Sequence, residues 1–259
     1  MKMKLVVLAV EDRTTWLVAN TIHSVYSDVE VLLINNHKKF DILVSRYKKS
    51  GLFNVLGQLL FVLFSKIFLS KKNNYIDSLI NKAGLIDSNI NNITVTNLLS
   101  GGELSIVENL KKINPDVIVV NGTRILSQNI LNACNAKFIN VHCGITPAYR
   151  GVHGAYWALY NNDREHCGVT IHEVDTGIDT GVIYYQDKIS ISSDDNFHVY
   201  PFKQYIVGIP LLMSAIDDIS KNRSEYLTNT LPSKLYQHPT IINYLYGRFK
   251  FILLDDWFT

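Results

Sequence analysis

The alternation of short apolar segments with helical patterns over the first 140 residues is the strongest constraint on the fold. The apolar segments are rich in β-branched residues and predict strands at Leu5–Val10, Val29–Ile34, Ile93–Val95, Val117–Val120 and Phe138–Val141. Between them, helical patterns occur at Trp16–Tyr26, Glu103–Ile113 and Leu126–Ala133. Strands that alternate with helices form a mostly parallel sheet with helices on its faces. The sequence therefore predicts an α/β fold.

The pattern changes after about residue 165. Two longer strands are predicted at Gly168–Val174 and Gly181–Ile191, joined by a glycine-rich connection. A helix is predicted over Phe197–Ser220, with interruptions at Pro201 and Pro210 because proline removes a helical hydrogen bond.

From about residue 222 the apolar patterns are short and aromatic residues are frequent: Tyr226, Tyr236, Tyr244, Tyr246, Phe249, Phe251, Trp257 and Phe258. Residues 222–259 are too few for an independent core of ordinary size. We therefore predict one domain over residues 1–221 and a C-terminal extension over 222–259. The extension packs on the domain or forms a subunit contact, and Trp257 and Phe258 favour a docked terminus.

Charge and cysteine usage limit the functional class. The net charge of +2 gives no argument for binding nucleic acid. Three cysteines are widely spaced without a CxxC pair, which predicts free thiols in a reducing compartment: Cys134, Cys143 and Cys167. The first apolar run stops at Glu11, Asp12 and Arg13 without a cleavage site, so it predicts a strand and not a signal peptide. We expect a cytoplasmic protein.

One stretch, Leu52–Leu69, is apolar enough to raise the question of a membrane. It carries Asn54, Gln58, Ser65 and Lys66, whereas a spanning helix needs roughly 20 mostly apolar residues. The sequence favours a packed amphipathic helix without stable membrane insertion. An interfacial helix beside flanking lysines is the alternative: Lys48, Lys49, Lys71 and Lys72.

Asn140 and His142 lie at the end of the predicted strand Phe138–Val141, before a loop containing glycine and proline. Side chains two residues apart in a strand point to the same face, and ligands bind at the carboxyl ends of strands in open α/β sheets. An amide beside an imidazole can hold a developing oxyanion. The alternative is a turn-capping asparagine and a core histidine.

Asp175 and Asp179 lie in a loop of turn residues between the last two predicted strands, with Gly177 and Gly181. An aspartate held near a histidine can orient the imidazole and stabilise its charged form. An ordinary polar hairpin turn is the alternative for this segment.

Together, NVHCGITPAYRG and GVTIHEVDTGIDTG resemble the motifs of the folate-dependent formyltransferase family, most closely its sugar-nucleotide N-formyltransferases. A third match is Thr123–Ser127, which is similar to the Arg-Ile-Leu-Ser stretch of the family. The resemblance is good over about residues 115–190. It implies a Rossmann-like domain, and 10-formyltetrahydrofolate as the formyl donor. It also implies a set of cofactor-binding residues: Arg124, Ile125, Leu126, Val174, Asp175 and Gly177.

The same resemblance implies a division of roles at the reaction centre. Asn140 and His142 would donate hydrogen bonds to the formyl oxygen while an amine attacks the formyl carbon. Asp179 would orient His142 and accept the proton of the amine. No metal is expected, since the histidines and cysteines lack metal-ligand spacing.

The resemblance also implies a class of acceptor substrate, because this sequence departs from the other members of the family at two places. The loop after the first strand, Val10–Thr15, has no glycine to hold a substrate phosphate, and the chain is expected to lack the basic barrel of methionyl-tRNA formyltransferases. Residues 142–159 resemble the sugar-nucleotide enzymes. The implied acceptor is a nucleotide-linked amino-deoxysugar, such as a dTDP-3- or 4-amino-6-deoxyhexose, used in lipopolysaccharide O-antigen.

Tyr149 and Arg150 are the candidate substrate-binding residues, with a structural tether as the alternative for Arg150. A homodimer is an open expectation because related enzymes are often dimers. Two other functions stay open: a methionyl-tRNA formyltransferase with a truncated C-terminal domain, and a non-catalytic folate-binding protein.

Overall fold

The computed structural model describes residues 3–35, 39–89, 92–98, 100–223 and 225–253. Nine strands are present in this part of the chain: β1 (Leu5–Ala9), β2 (Val29–Leu33), β3 (Thr94–Asn97), β4 (Val117–Asn121), β5 (Lys137–His142), β6 (Arg150–Gly151), β7 (Gly168–Glu173), β8 (Ile183–Lys188) and β9 (Leu235–Tyr236). Seven of them form the central sheet in the order β3-β2-β1-β4-β5-β7-β8, and β6 pairs with β9.

The described helices are α1 (Arg13–Val25), α2 (Lys39–Phe64), α3 (Asn73–Lys82), α4 (Gly102–Ile113), α5 (Gln128–Leu131), α6 (Gly154–Tyr160), α7 (Tyr200–Ser220) and α8 (Ile241–Leu253). Helix α2 is broken at Gly51, whose φ of 78° is not helical. A π-helical turn at Ser65–Leu69 and a 3-10 turn at Ser70–Lys72 join α2 to α3. By length and composition, Ser50–Lys82 could cross a membrane, a criterion that buried helices also meet.

The predicted α/β fold with a mostly parallel sheet is confirmed. The strand pairs from β3 to β5 are parallel, and β7 and β8 add two antiparallel pairs at one edge. Every residue of β1 and β4 is buried, as expected for strands covered by helices on both faces.

Two predicted helices differ from the structure. The helix predicted over Leu126–Ala133 is only Gln128–Leu131, since the hydroxyl of Ser127 caps its first turn. The predicted interruptions at Pro201 and Pro210 are wrong, because α7 is one helix. Pro201 lies in the first turn, where no backbone donor is needed. The cost of Pro210 is offset by the buried face of α7 against the sheet.

The described part of the C-terminal extension packs on the rest of the chain. Strand β9 pairs with β6, and the ring of Tyr244 in α8 lies 5.3 Å from that of Phe61 and 5.4 Å from that of Phe64, both in α2. Trp257 and Phe258, for which a docked terminus was predicted, lie outside the described residues.

Candidate active site

A cavity of about 1260 Å³ lies at the carboxyl ends of β4 and β5. The crossover loops of a parallel sheet leave such a crevice where the strands end. Asn140, His142 and Asp179 all line it, so the structure brings the three predicted reaction-centre residues together. Two of them come from the end of β5, and the third comes from the loop between β7 and β8.

His142 lies between two hydrogen-bond acceptors. Its Nε2 is 2.8 Å from the carbonyl oxygen of Tyr149, and its Nδ1 is 3.5 Å from Oδ2 of Asp179. A neutral imidazole has one N–H and can donate to only one of them, whereas an imidazolium can donate to both. Burial lowers the pKa of His142 below its ordinary value, although the charge of Asp179 opposes this. The ring is therefore neutral at pH 7 and placed to gain a proton.

Asp179 is held in a constrained position between two imidazoles. Its backbone is left-handed, with φ of 52°. Its Oδ2 accepts the N–H of Gly151 at 2.7 Å, and its Oδ1 lies 3.5 Å from Nε2 of His172. Burial alone would raise its pKa, but His142, His172 and the Gly151 N–H together lower the pKa to about 2. Asp179 is the charged member of the cluster at neutral pH.

His172 is one site residue that the sequence analysis did not single out. Its Nδ1 lies 2.7 Å from the carbonyl oxygen of Glu173, to which it donates, so Nε2 can accept the amide N–H of Asn140 at 3.3 Å. The antiparallel register of β5 and β7 places Asn140 opposite His172. Strand pairing was the signal needed, and a single sequence does not contain the register.

The six predicted cofactor-binding residues all line the same cavity: Arg124, Ile125, Leu126, Val174, Asp175 and Gly177. In the described structure, the backbone N–H and C=O groups of Ile125 and Leu126 have no hydrogen-bond partner. Unpaired backbone groups beside a cavity are free to bind the polar edge of a ligand. The carboxylate of Asp175 instead bonds within its own loop, to Gly177 N and Thr180 Oγ1.

The other lobe of the cavity is formed by residues outside the predicted set of site residues: Arg46, Gln58, His153, Tyr156, Phe197, Tyr200, Tyr236 and His238. Oε1 of Gln58 and the hydroxyl of Tyr156 are buried, and neither has a hydrogen-bond partner within the described ranges. Burial lowers the pKa of the Arg46 guanidinium, which has no acidic partner in the part of the chain described. This lobe therefore offers unpaired polar groups and a cation to a ligand.

Tyr149 and Arg150 do not line the cavity, although both were predicted to bind substrate. The hydroxyl of Tyr149 donates to Asp163 at 2.7 Å, and its ring stacks on Tyr236. Nη1 of Arg150 donates to the carbonyl oxygen of Ile178 at 3.3 Å. The backbone carbonyl of Tyr149 contacts His142, and Arg150 tethers the loop that carries Asp179.

Neither a metal centre nor a cysteine nucleophile is indicated by the described residues of the site. The described residues contain no group of three or more histidine, cysteine or acidic side chains that could hold a metal ion. Cys143 lines the cavity, but burial raises the pKa of its thiol to about 12. The thiol is therefore protonated at neutral pH and is a poor nucleophile.

The chain was compared with known proteins. Residues 88–201 match the model of the formyl transferase family. A methionyl-tRNA formyltransferase from Thermodesulfovibrio yellowstonii is 38% identical over 116 residues, which are 44% of this chain and 37% of that protein. A second, from Finegoldia magna, is 32% identical over 153 residues, 54% of this chain and 49% of the relative. The chain thus spans less than half the length of these curated relatives.

Solved structures with a similar fold fall into more than one class of formyltransferase. A 4-N formyltransferase from Francisella tularensis has a TM-score of 0.55 and 18% identity, covering 91% of this chain and 77% of its own. A sugar 3N-formyl transferase solved with dTDP and 5-N-formyl-THF has a TM-score of 0.54 and 17% identity. The match covers 91% of this chain and 70% of that protein. A glycinamide ribonucleotide transformylase from Symbiobacterium toebii has a TM-score of 0.56 and 14% identity. The match covers 91% of this chain and 95% of that protein.

These similarities agree on the family and on the fold, and they divide over the acceptor. The matched region, residues 88–201, contains β4, β5 and β7 and the loop that carries Asp179. It therefore includes all three segments on which the sequence resemblance was based. Residues 88–201 are therefore similar in sequence to the formyl transferase family, and the fold of the chain is that of the solved formyltransferases.

Proposed function

We propose that this protein transfers a formyl group from 10-formyltetrahydrofolate to the primary amine of a nucleotide-linked amino-deoxysugar. The observation that carries the proposal is the meeting of Asn140, His142 and Asp179 in one cavity, between a lobe with unpaired backbone groups and a lobe with unpaired side chains. The cavity of about 1260 Å³ exceeds the roughly 300–1,000 Å³ usual for one small ligand. It has room for a donor and an acceptor together.

The part of the cavity lined by the six predicted cofactor-binding residues, here called the donor lobe, fits a folate. The unpaired backbone groups of Ile125 and Leu126 are suited to the donor–acceptor edge of a pterin, and Val174 and Gly177 close the opposite wall. A folate held there would supply the formyl group, and its N10 would be released as a protonated amine when the new amide forms. The amide N–H of Asn140 that does not bond His172 is free to donate to the formyl oxygen. One such donor typically lowers a barrier by about 3–4 kcal/mol.

The proton of the attacking amine needs a base, and the electrostatics favour His142. Asp179, with a pKa of about 2, is a weak base at pH 7, whereas the buried imidazole of His142 is neutral and next to a carboxylate. His142 would accept the proton on Nδ1, and Asp179 would stabilise the imidazolium that results. Asp179 is then an orienting and charge-stabilising residue. This differs from the direct proton acceptor that the family resemblance implies.

The other part of the cavity, here called the acceptor lobe, is suited to a phosphorylated substrate that forms hydrogen bonds. Arg46 provides a positive charge, while Gln58 Oε1 and the Tyr156 hydroxyl provide unpaired polar atoms. Four aromatic rings line the same lobe and can pack on a sugar or base: Tyr156, Phe197, Tyr200 and Tyr236. A neutral free amine would leave the Arg46 guanidinium without a counter-ion. The sugar nucleotide carries a diphosphate that satisfies it.

A direct assay tests the proposal. Purified protein is incubated with 10-formyltetrahydrofolate and a panel of dTDP-linked 3-amino and 4-amino sugars, and products are read by mass. We expect one acceptor to gain a single formyl group, with tetrahydrofolate released in equal amount. Absence of product from the whole panel would contradict the sugar acceptor.

Methionyl-tRNA formyl transfer is the second candidate, because the relatives at 38% and 32% identity carry that name. The formal net charge of only +2 is small for a protein that binds many phosphates. Methionyl-tRNA included in the same panel separates the two functions. Formylation of the tRNA without formylation of any sugar would establish this alternative.

A further inference from the structure

The second half of α2 and the turn after it expose a stripe of large apolar side chains. The stripe consists of Leu52, Phe53, Leu56, Leu59, Leu60, Leu63, Ile67 and Phe68. Each is between 43% and 90% exposed, with Phe53 the most exposed. Most are spaced by three or four residues, which places them along one side of the helix. Single exposed apolar residues are ordinary, but a continuous stripe marks a binding surface.

The opposite side of α2 is fixed to the rest of the protein. Val55, Gln58 and Phe61 are buried, and the Phe61 ring lies 4.8 Å from that of Phe197. Gln58 also donates to the carbonyl oxygen of His238 at 3.1 Å. The helix would have to break these contacts to leave the protein. Its apolar stripe is therefore a surface of the folded molecule, and it is available while the cavity beside Gln58 is intact.

The segment that carries the stripe has charges of one sign, although Lys72 pairs with Asp194 outside it. Residues 42–76 contain no aspartate or glutamate, but they contain Arg46, Lys48, Lys49, Lys66, Lys71 and Lys72. The side chains of Lys48, Lys66 and Lys71 are exposed. Helix α8, which packs on α2, exposes Arg248 and four more apolar side chains: Ile242, Leu245, Tyr246 and Phe249. This excess is local, because the net charge of the whole chain is only +2.

We propose that the stripe docks the protein on the surface of an anionic lipid bilayer, without spanning it. Apolar side chains can enter the boundary between headgroups and acyl chains, while lysines beside them bind anionic headgroups. A second copy of the chain fits less well. A two-fold contact would bring the same basic segment of both copies together, with no acidic side chain in the segment to pair with it. A spanning helix would bury Lys66 and remove Phe61 and Gln58 from their contacts.

Vesicle flotation of the full chain tests the proposal. We expect binding to phosphatidylcholine vesicles that contain phosphatidylglycerol, weaker binding to phosphatidylcholine alone, and a loss of binding as salt is raised. The double variant Phe53→Gln/Leu60→Gln should bind at least about tenfold less, since apolar side chains are removed from the interface. Leu104→Gln in α4 is the matched control, since Leu104 is 76% exposed and lies outside the stripe. An unchanged thermal midpoint would show that each variant is folded.

A charge test separates lipid from other occupants. Lys66→Glu/Lys71→Glu should reduce binding to anionic vesicles by about tenfold or more, and Lys111→Glu/Lys112→Glu in α4 should not. Equal flotation of all variants would overturn the proposal, as would the absence of flotation. A dimer that Phe53→Gln/Leu60→Gln converts to a monomer, without vesicle binding, would assign the stripe to a second copy. Binding that resists an alkaline carbonate wash would show a spanning helix and overturn surface docking.

Discussion

Nδ2 of Asn140 lies 3.3 Å from Nε2 of His172, directly across the antiparallel pair of β5 and β7. His172 also lies 3.5 Å from Asp179, so its ring is in contact with both the proposed oxyanion donor and the charged carboxylate. This ring fixes which way the amide of Asn140 points. We therefore treat His172 as a positioning residue of the proposed reaction.

Replacement of His172 should affect turnover more than binding. His172→Ala removes the acceptor that orients Asn140, so kcat should fall about tenfold, the scale of one hydrogen bond. KM for the folate should stay within about twofold. His172→Gln should recover part of the rate, because its Oε1 can accept the same N–H. The matched control is His23→Gln in α1, outside the cavity. Equal kcat in wild type and His172→Ala would contradict the role.

Asp179→Asn should slow turnover by roughly a hundredfold or more, since it removes the charge that stabilises the protonated His142. Tetrahydrofolate should still raise the thermal midpoint of the variant, as the backbone groups of Ile125 and Leu126 are unchanged. Asp187→Asn on β8 is exposed and lies outside the cavity, and it provides the control. Near wild-type turnover of Asp179→Asn at neutral pH would disprove the proposed proton transfer.

The same variant should move the pH profile. His142 must be neutral to accept a proton, so kcat/KM falls as pH drops through the pKa of His142. Burial holds that pKa below 6.5, and the charge of Asp179 raises it. Asp179→Asn removes the raising effect, so the acid limb should shift to lower pH. A shift to higher pH would show that another group is titrating.

The fold and the grouping of the three candidate residues in one cavity were predictable from the sequence for different reasons. Strands such as β1 and β4 are almost entirely apolar because both of their faces are buried. A continuous apolar run of this kind can be recognised from the amino-acid sequence alone. Asn140, His142 and Asp179 were identified through short motifs next to strand ends. These motifs are local, so they did not depend on how the strands pair.

The residues that were missed depend on contacts between distant segments. His172 becomes important only through the register of β5 with β7. Gln58 and His238 meet at 3.1 Å although they are 180 residues apart. Tyr149 was predicted to bind substrate from its place in a motif, but its side chain is buried in a hydrophobic cluster away from the cavity, and only its carbonyl reaches His142. Side-chain direction in a loop is set by tertiary packing, which the sequence pattern does not show.

Stability should fall on mild acidification because of a partly buried histidine pair. Nε2 of His153 lies 2.9 Å from Nδ1 of His238. Burial lowers the pKa of both, to about 4 for His238, and the positive charge of Arg46 adds to this. The unfolded chain therefore binds more protons than the folded protein between about pH 6.5 and pH 4. The free energy of unfolding therefore falls by up to about 1.4 kcal/mol per pH unit for each histidine.

Urea denaturation across pH 7.5 to 4.5 measures this effect. The free energy of unfolding should decline below pH 6.5, and His238→Gln should decline less steeply. Asp179 adds a separate loss at lower pH, since its folded pKa of about 2 lies below the ordinary value of 3.8. Its stabilisation is present above about pH 4 and is lost as pH falls toward 2. A His238→Gln curve parallel to the wild type would contradict the assignment.

Arg46→Gln should raise KM for the acceptor by about tenfold or more, because a charge-assisted contact to phosphate is lost. The KM for the folate and kcat at saturation should change little, since Arg46 belongs to the other lobe. Tyr156→Phe removes one unpaired hydroxyl and should raise the same KM by less. Lys112→Gln in α4 is the charge-matched control. A higher KM for the folate, with the acceptor KM unchanged, would show that the two lobes are assigned in the wrong order.

Gly151 offers a test of how the C-terminal extension supports the reaction centre. Its φ is 93°, its N–H donates to Asp179, and a Cβ there would overlap the carbonyl oxygen of Tyr236 in β9. Gly84 is the matched control, because its φ is 69° but nothing lies within 4 Å of the Cβ position. Both substitutions to alanine carry the left-handed backbone penalty of about 1–2 kcal/mol. Only Gly151→Ala must also separate β6 from β9.

Gly151→Ala should therefore lower the free energy of unfolding by at least about 1 kcal/mol more than Gly84→Ala, the usual scale of an overpacked contact. It should also reduce kcat, because the N–H that holds the Asp179 carboxylate moves with the strand. Gly84→Ala should leave kcat unchanged. Urea unfolding and steady-state kinetics on the two variants measure both effects. Equal destabilisation by the two substitutions would show that the β6–β9 contact contributes nothing to holding Asp179.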